Sequence, residues 1–215
     1  MSRRHRSALW LAALLPLALL HDGLRHAVES RMALHMLLEF PLLLAGGWAA
    51  ARLAAPRHAP TDAFDAFGLL GVGVVSCVSA FWMIPAALDL ALLHEPMRWA
   101  KVASWLLAGA LLARSAPRLG DEIAVFFLGN LAWMFATAGL LYREAESRLC
   151  VSYLAADQVW TGNGLVALAI ALGALALQRL VAASAGVTVT SSRAAAAPPR
   201  SSSSDPRVGR TPARP

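Results

Sequence analysis

Charge is scarce in this 215-residue chain: 15% of its residues are Asp, Glu, Lys or Arg, against about 25% in an ordinary soluble domain. Acids are fewer than bases, 13 against 19, but the basic residues are spread through short segments and the C-terminal tail and gather in no single patch. A nucleic-acid partner is excluded on that ground, because holding a phosphate backbone takes a concentrated cationic face. Cysteine is nearly absent. Cys77 stands in an apolar run and Cys150 in a polar segment, which builds neither a disulfide framework nor a cysteine-based metal knuckle. The chain also lacks a Ser/His/Asp arrangement, a phosphate-binding glycine loop, a paired-carboxylate motif, a haem-attachment motif and a clear internal repeat. No enzymatic role is expected from such a sequence.

What it has in excess is apolar surface: 58% of residues are hydrophobic and mean hydropathy is +0.55. One crossing of the hydrocarbon takes roughly 20 apolar residues. The runs predict an all-α, polytopic transmembrane bundle of about six helices within residues 1–182, over 8–20, 32–53, 64–88, 99–113, 123–142 and 159–181. The first run follows a basic start as a signal peptide would, but Leu24 and His26 come after it instead of a small-residue cleavage site. It is read as a retained helix. Pro41 and Pro85 lie inside predicted spans and should kink or end them. Residues 183–215 are Ser, Ala, Pro and Arg with little to bury; such a segment cannot offset its ordering entropy, and a disordered cytoplasmic tail is expected.

Arginine placement gives the orientation. With the N-terminus cytoplasmic, Arg3, Arg4, Arg6, Arg52, Arg57, Arg114, Arg118 and Arg179 fall on the inner side, eight against the outer six of Arg25, Arg31, Arg98, Lys101, Arg143 and Arg148. The outer segments also carry most of the acids. An even number of spans then puts both termini inside.

The stretch RMALHMLLEFP places His35 and Glu39 in an otherwise apolar run. On an ideal helix Met32, His35, Met36 and Glu39 share one stripe, since spacings of three, four and seven return to the same face. Thioether and imidazole are donors that suit Cu(I). The same residues also have a plain structural reading: methionine packs cores, and Glu39 can pair with His35 or answer the carbonyl that Pro41 leaves unbonded. By topology Asp89, His94, Met97, Asp157 and Gln158, with His21 and His26, end near the same outer surface. The pool of metal ligands expected from this convergence is Met32, His35, Met36, Asp89, His94 and Asp157. Gly68, Gly71, Gly73 and Ser76, and Gly162, Gly164 and Gly173, give two spans small faces for close packing.

Three stretches together resemble the CtaG-type cytochrome c oxidase assembly factors, a family of bacterial polytopic membrane proteins: MALHMLLEFPLLLAGG, FWMIPAALDLALLHEPMRWAKVASWLLAGALL and LAADQVWTGNGLV. Their order and spacing agree over roughly residues 30–170, with His35, Asp89, Asp157 and Gln158 at motif positions. The resemblance implies a non-enzymatic factor of the bacterial plasma membrane. Such a factor helps a haem-copper oxidase mature at the step where copper arrives, with oxidase subunits or another copper chaperone as partners. Where the family pattern has a histidine one turn before His35 this chain has Arg31, and where it has a histidine pair this chain has Arg98 and Val102. A relative that keeps the scaffold without the copper chemistry is therefore a second expectation. The runner-up class is a small transporter or proton relay using His35, Glu39, Asp89 and Asp157, although that class favours carboxylates at mid-membrane and inverted repeats; a membrane cytochrome would need His35 to face His94 or His26 across a haem.

Overall fold

The computed structural model describes residues 3–19, 21–54, 65, 67–145 and 153–195, and among these every regular element is helical. In chain order they are α1 (Arg3–Ala18), α2 (Asp22–Glu29), α3 (Met32–Leu34) running through a π-helical turn (His35–Glu39) into α4 (Phe40–Ala54), α5 (Leu69–Trp82), α6 (Pro85–Leu93), α7 (Glu95–Ser115) with a closing 3-10 turn (Ala116–Arg118), α8 (Asp121–Glu144) and α9 (Ala155–Ala195). Residues Met1–Leu180 make one compact unit. Val181–Pro215 make another, described only as the helical end of α9, and residues 196–215 lie outside the described residues. The sixth predicted span thus overruns its expected end at residue 181.

Three stretches are long and apolar enough to cross a membrane: Met32–Ala54, Asp121–Glu144 and Ala156–Ser184. Two bent pairs bring the number up to five if each is one span: Arg6–Ala18 with Asp22–Glu29, bent by 85°, and Leu69–Trp82 with Pro85–Leu93, bent by 79°. The remaining member of the expected six, α7, is not among them. Its first two turns carry Glu95, Arg98 and Lys101, which lowers its hydropathy.

The two prolines act differently. Pro85 opens α6 at its first turn, where a missing N–H costs nothing, so the third predicted span breaks at Met83–Ile84 and resumes in a new direction. Pro41 stays inside α4. It cannot donate to the Leu37 carbonyl and its ring crowds that group; the turn just before it, His35–Glu39, is widened to a π-helix. A widened turn is a known relief for such crowding and recurs at functional positions.

Packing is tightest between α4 and α7, which run parallel from a common end. A Cβ added at Gly47 would overlap the Leu106 carbonyl, and one at Gly109 the Leu44 carbonyl, so backbone lies on backbone as small residues in membrane helices permit. Helix α5 lies antiparallel to α7: Trp82 Nε1 donates to Ser104 Oγ at 2.9 Å near one end, and the Gly71 N–H to Ser115 Oγ at 2.9 Å near the other. Of the glycines expected to make a small face on this helix, Gly71 packs on Leu112, Gly73 faces open space, and Gly68, at φ +73°, turns the chain into α5. Asp65 stabilises that turn, its carboxylate accepting from the Leu70 N–H at 3.0 Å and from the Ser115 hydroxyl. Helices α8 and α9 are antiparallel, with Gly139 against Gly162. Outward positions such as Leu107, Phe126, Trp133, Trp160 and Ile170 are apolar and exposed, an arrangement suited to lipid and not to water.

Candidate functional site

At the end of the bundle where α4 and α7 begin, one cation organises the polar side chains. Lys101, on the second turn of α7, is fully buried at 0% exposure. Its Nζ lies 2.7 Å from Glu39 Oε1, 2.9 Å from Glu29 Oε1 and 2.9 Å from His35 Nε2. Three acceptors match the three N–H bonds of an ammonium. The acceptors come from different elements: Glu29 closes α2, while His35 and Glu39 are the first and last residues of the π turn. With Nε2 accepting from Lys101, a neutral His35 ring carries its proton on Nδ1 and donates it to Tyr153 Oη at 2.6 Å. His35 also meets Phe40 edge-on, with ring centroids 5.4 Å apart, and that contact fixes its plane.

A cleft of about 250 Å³ opens onto Glu29 and Glu39, with Asp22, Arg25 and Arg98 at its polar side and Pro16, Leu43 and Val102 at its apolar side. Arg25 bridges Asp22 at 2.9 Å and lies 3.7 Å from Glu29 Oε2; Arg98 pairs with Glu95 at 3.1 Å. Glu39 is 3% exposed, and its Oε2 is buried without a hydrogen-bond partner. His35 Nε2 lies 3.6 Å from that oxygen.

The expected ligands are distributed unevenly. His35 and Glu39 lie together as their spacing of four predicts. Met32 and Met36 are buried in the apolar core with Phe40, Leu43 and Trp105. His94 is exposed at the joint between α6 and α7. Asp89 is half-buried on α6, and Asp157 lines a separate cleft with Arg31, Trp160 and Asn163. Among the described residues, the His, Cys, Asp and Glu side chains that converge closely enough to share an ion are Glu29, His35 and Glu39. Of the expected imidazole and carboxylate ligands, His35 belongs to that group and Asp89, His94 and Asp157 do not. Gln158, at a motif position, is buried and donates to the Tyr142 carbonyl at 3.1 Å, while Tyr142 Oη donates to the Met83 carbonyl at 2.8 Å; the pair ties α8 and α9 to the α5–α6 break.

The sequence sets Lys101 among the outer basic residues and offers Glu29 as a pairing candidate for Arg31 or Arg98, and it gives Tyr153 no role. A signal was available: Lys101 is the single lysine among nineteen basic residues, and Tyr142 and Tyr153 are the only two tyrosines. A compact ammonium with three donors is not interchangeable with a guanidinium fork.

The donor set does not fit Cu(I). Two carboxylates and an imidazole are hard to borderline ligands, the thioethers sit in the apolar core, and an ammonium already stands among the donors. What the arrangement offers chemically is a hydrogen-bonded path of exchangeable protons, Glu29 to Lys101 to His35 to Tyr153, beside a partly polar cleft. Compared with protein-family models, curated proteins and solved structures, the chain matches none of them.

Proposed function

We propose that this chain is a non-enzymatic integral membrane protein that assists assembly of a respiratory haem-copper oxidase without holding copper itself. One observation carries the reading. The three stretches in which the resemblance lies, far apart in sequence, meet at one end of the bundle: His35 of the first bonds Lys101 of the second, and Tyr153, bonded to His35, adjoins the third, whose Gln158 is bonded to Tyr142. In the orientation argued from the arginines this end faces outward, where a partner subunit or a copper donor would meet it. The donors gathered at this end among the described residues suit Cu(I) poorly, which favours a role in the partner's conformation over carriage of the ion.

The test is a strain lacking the gene. Oxidase activity and the copper content of the purified oxidase should fall and return with the wild-type gene, while the purified membrane protein carries well under one copper per chain. Full oxidase activity and copper in the deletion strain would end the reading. A second reading, a proton relay, is supported by the continuous Glu29–Lys101–His35–Tyr153 path. It predicts proton flux through reconstituted vesicles that His35→Ala abolishes, and no change in oxidase maturation.

A further inference from the structure

The Lys101 cluster has donors of a metal site arranged around a side-chain cation. One oxygen each of Glu29 and Glu39 and a ring nitrogen of His35 lie within 4.8 Å of one another. Lys101 Nζ stands 2.7 to 2.9 Å from each of the three residues and thereby uses every N–H it has. A fourth acceptor is left over. Glu39 Oε2 is buried without a hydrogen-bond partner, on a residue that lines the cleft. The charges are mismatched in the same sense: two carboxylates face one monovalent ammonium, and although Arg25 approaches Glu29 at 3.7 Å, no such guanidinium bridges Glu39 among the described ion pairs. A four-coordinate divalent ion would take nitrogen and oxygen ligands of this kind and leave neither an acceptor nor a charge over.

We infer that Glu29, His35 and Glu39 form a divalent-cation site that Lys101 fills with its own ammonium. The junction of α2, the π turn and α7 is therefore held by a cation that the chain carries covalently, independent of metal supply, and the site's capacity for a metal is latent. This goes beyond the assembly-factor reading and does not rest on it. The space required is small. Zinc binds oxygen and nitrogen at about 2.0–2.2 Å, so each donor moves inward by about 0.7 Å from its present distance to Nζ, within reach of side-chain rotation.

The experiment removes the resident cation and supplies a metal. Wild type, Lys101→Ala and Lys101→Ala/His35→Ala are purified in detergent and titrated with Co(II), whose visible absorption reports its coordination, and with Zn(II) in competition. Lys101→Ala should bind about one ion per chain, and the double variant and wild type should bind it at least about tenfold more weakly, the scale of loss when a metal site's surroundings are damaged. The single variant strips the buried Glu39 of its ammonium and leaves Glu29 with Arg25 alone, and it is at risk of not folding. The level of each chain in membranes of cells grown with and without added Zn(II) reads the same property without purification: zinc should raise the level of Lys101→Ala and leave the double variant unchanged. Equal affinity of all three proteins for Co(II), or a membrane level of Lys101→Ala that ignores zinc, overturns the inference.

Discussion

Replacing Lys101 with methionine isolates what the buried ammonium contributes, because methionine keeps most of the stem's volume and removes only the charge and its donors. Three hydrogen bonds to Glu39, Glu29 and His35 are lost together. Taken singly, each bond to a charged group is worth about 1.5–3 kcal/mol, but the three share one donor group and are not additive. The larger effect is what remains: Glu39, at 3% exposure, keeps its carboxylate without the ammonium, and Glu29, with a 12% exposed side chain, keeps only Arg25 at 3.7 Å. Breaking a buried ion pair from one side costs about 3–5 kcal/mol, and the expected loss for Lys101→Met lies in that range. Loss on this scale is a large part of the roughly 5–15 kcal/mol that holds an ordinary protein folded. Adding Glu29→Gln and Glu39→Gln to Lys101→Met should recover more than half of it, since removing all the charges costs far less than stranding some of them. Denaturant unfolding in mild detergent, followed by helical circular dichroism, measures both. The reasoning is refuted if Lys101→Met stays within about 1 kcal/mol of wild type, or if the two added glutamines recover nothing.

The remaining predictions concern the frame around that lysine. Gly109→Ala should destabilise the bundle by about 1–3 kcal/mol, as overpacking of a tight contact does, because its new methyl meets the Leu44 carbonyl, whereas Gly73→Ala, facing open space, should not; thermal melting of the two variants side by side checks this. Tyr153→Phe leaves the His35 Nδ1 proton without its partner and should cost about 1–3 kcal/mol, read by the same melts. His94→Ala should change stability by less than about 0.5 kcal/mol, as befits an exposed residue, while His35→Ala should lower the melting midpoint clearly; similar behaviour of the two histidines would contradict the site assignment.

The legible part of this fold was the part governed by local composition. Long apolar runs located the helices now labelled α4, α8 and α9, and the four-residue spacing of His35 and Glu39 foretold that they would lie together. Pro41 and Pro85 marked two irregularities, but not that one would widen a turn while the other would start a helix at 79° to its neighbour. That bend sets Asp89 on a separately directed helix, and Asp157 lines a cleft with Arg31 instead, so the expected convergence of outer acids on His35 was not found in the ligand group. Lys101 escaped notice for a different reason. Its partners are 62 and 66 residues away for Glu39 and His35 and 72 for Glu29, and no helical periodicity spans such separations. The parallel packing of α4 on α7, in which Gly47 and Gly109 allow backbone contact, brings the π turn that carries His35 and Glu39 to Lys101.

The uniqueness of Lys101 allows a direct measurement of whether a buried ammonium joins α2, the π turn and α7. Because the chain contains no other lysine, an amine-reactive acylating reagent has one side chain to find, and peptide mass spectrometry can follow it alone. Lys101 should stay unmodified in the folded protein in membranes and be acylated once the protein is unfolded. Acylation of Lys101 in the folded protein at the rate seen after unfolding would contradict that assignment.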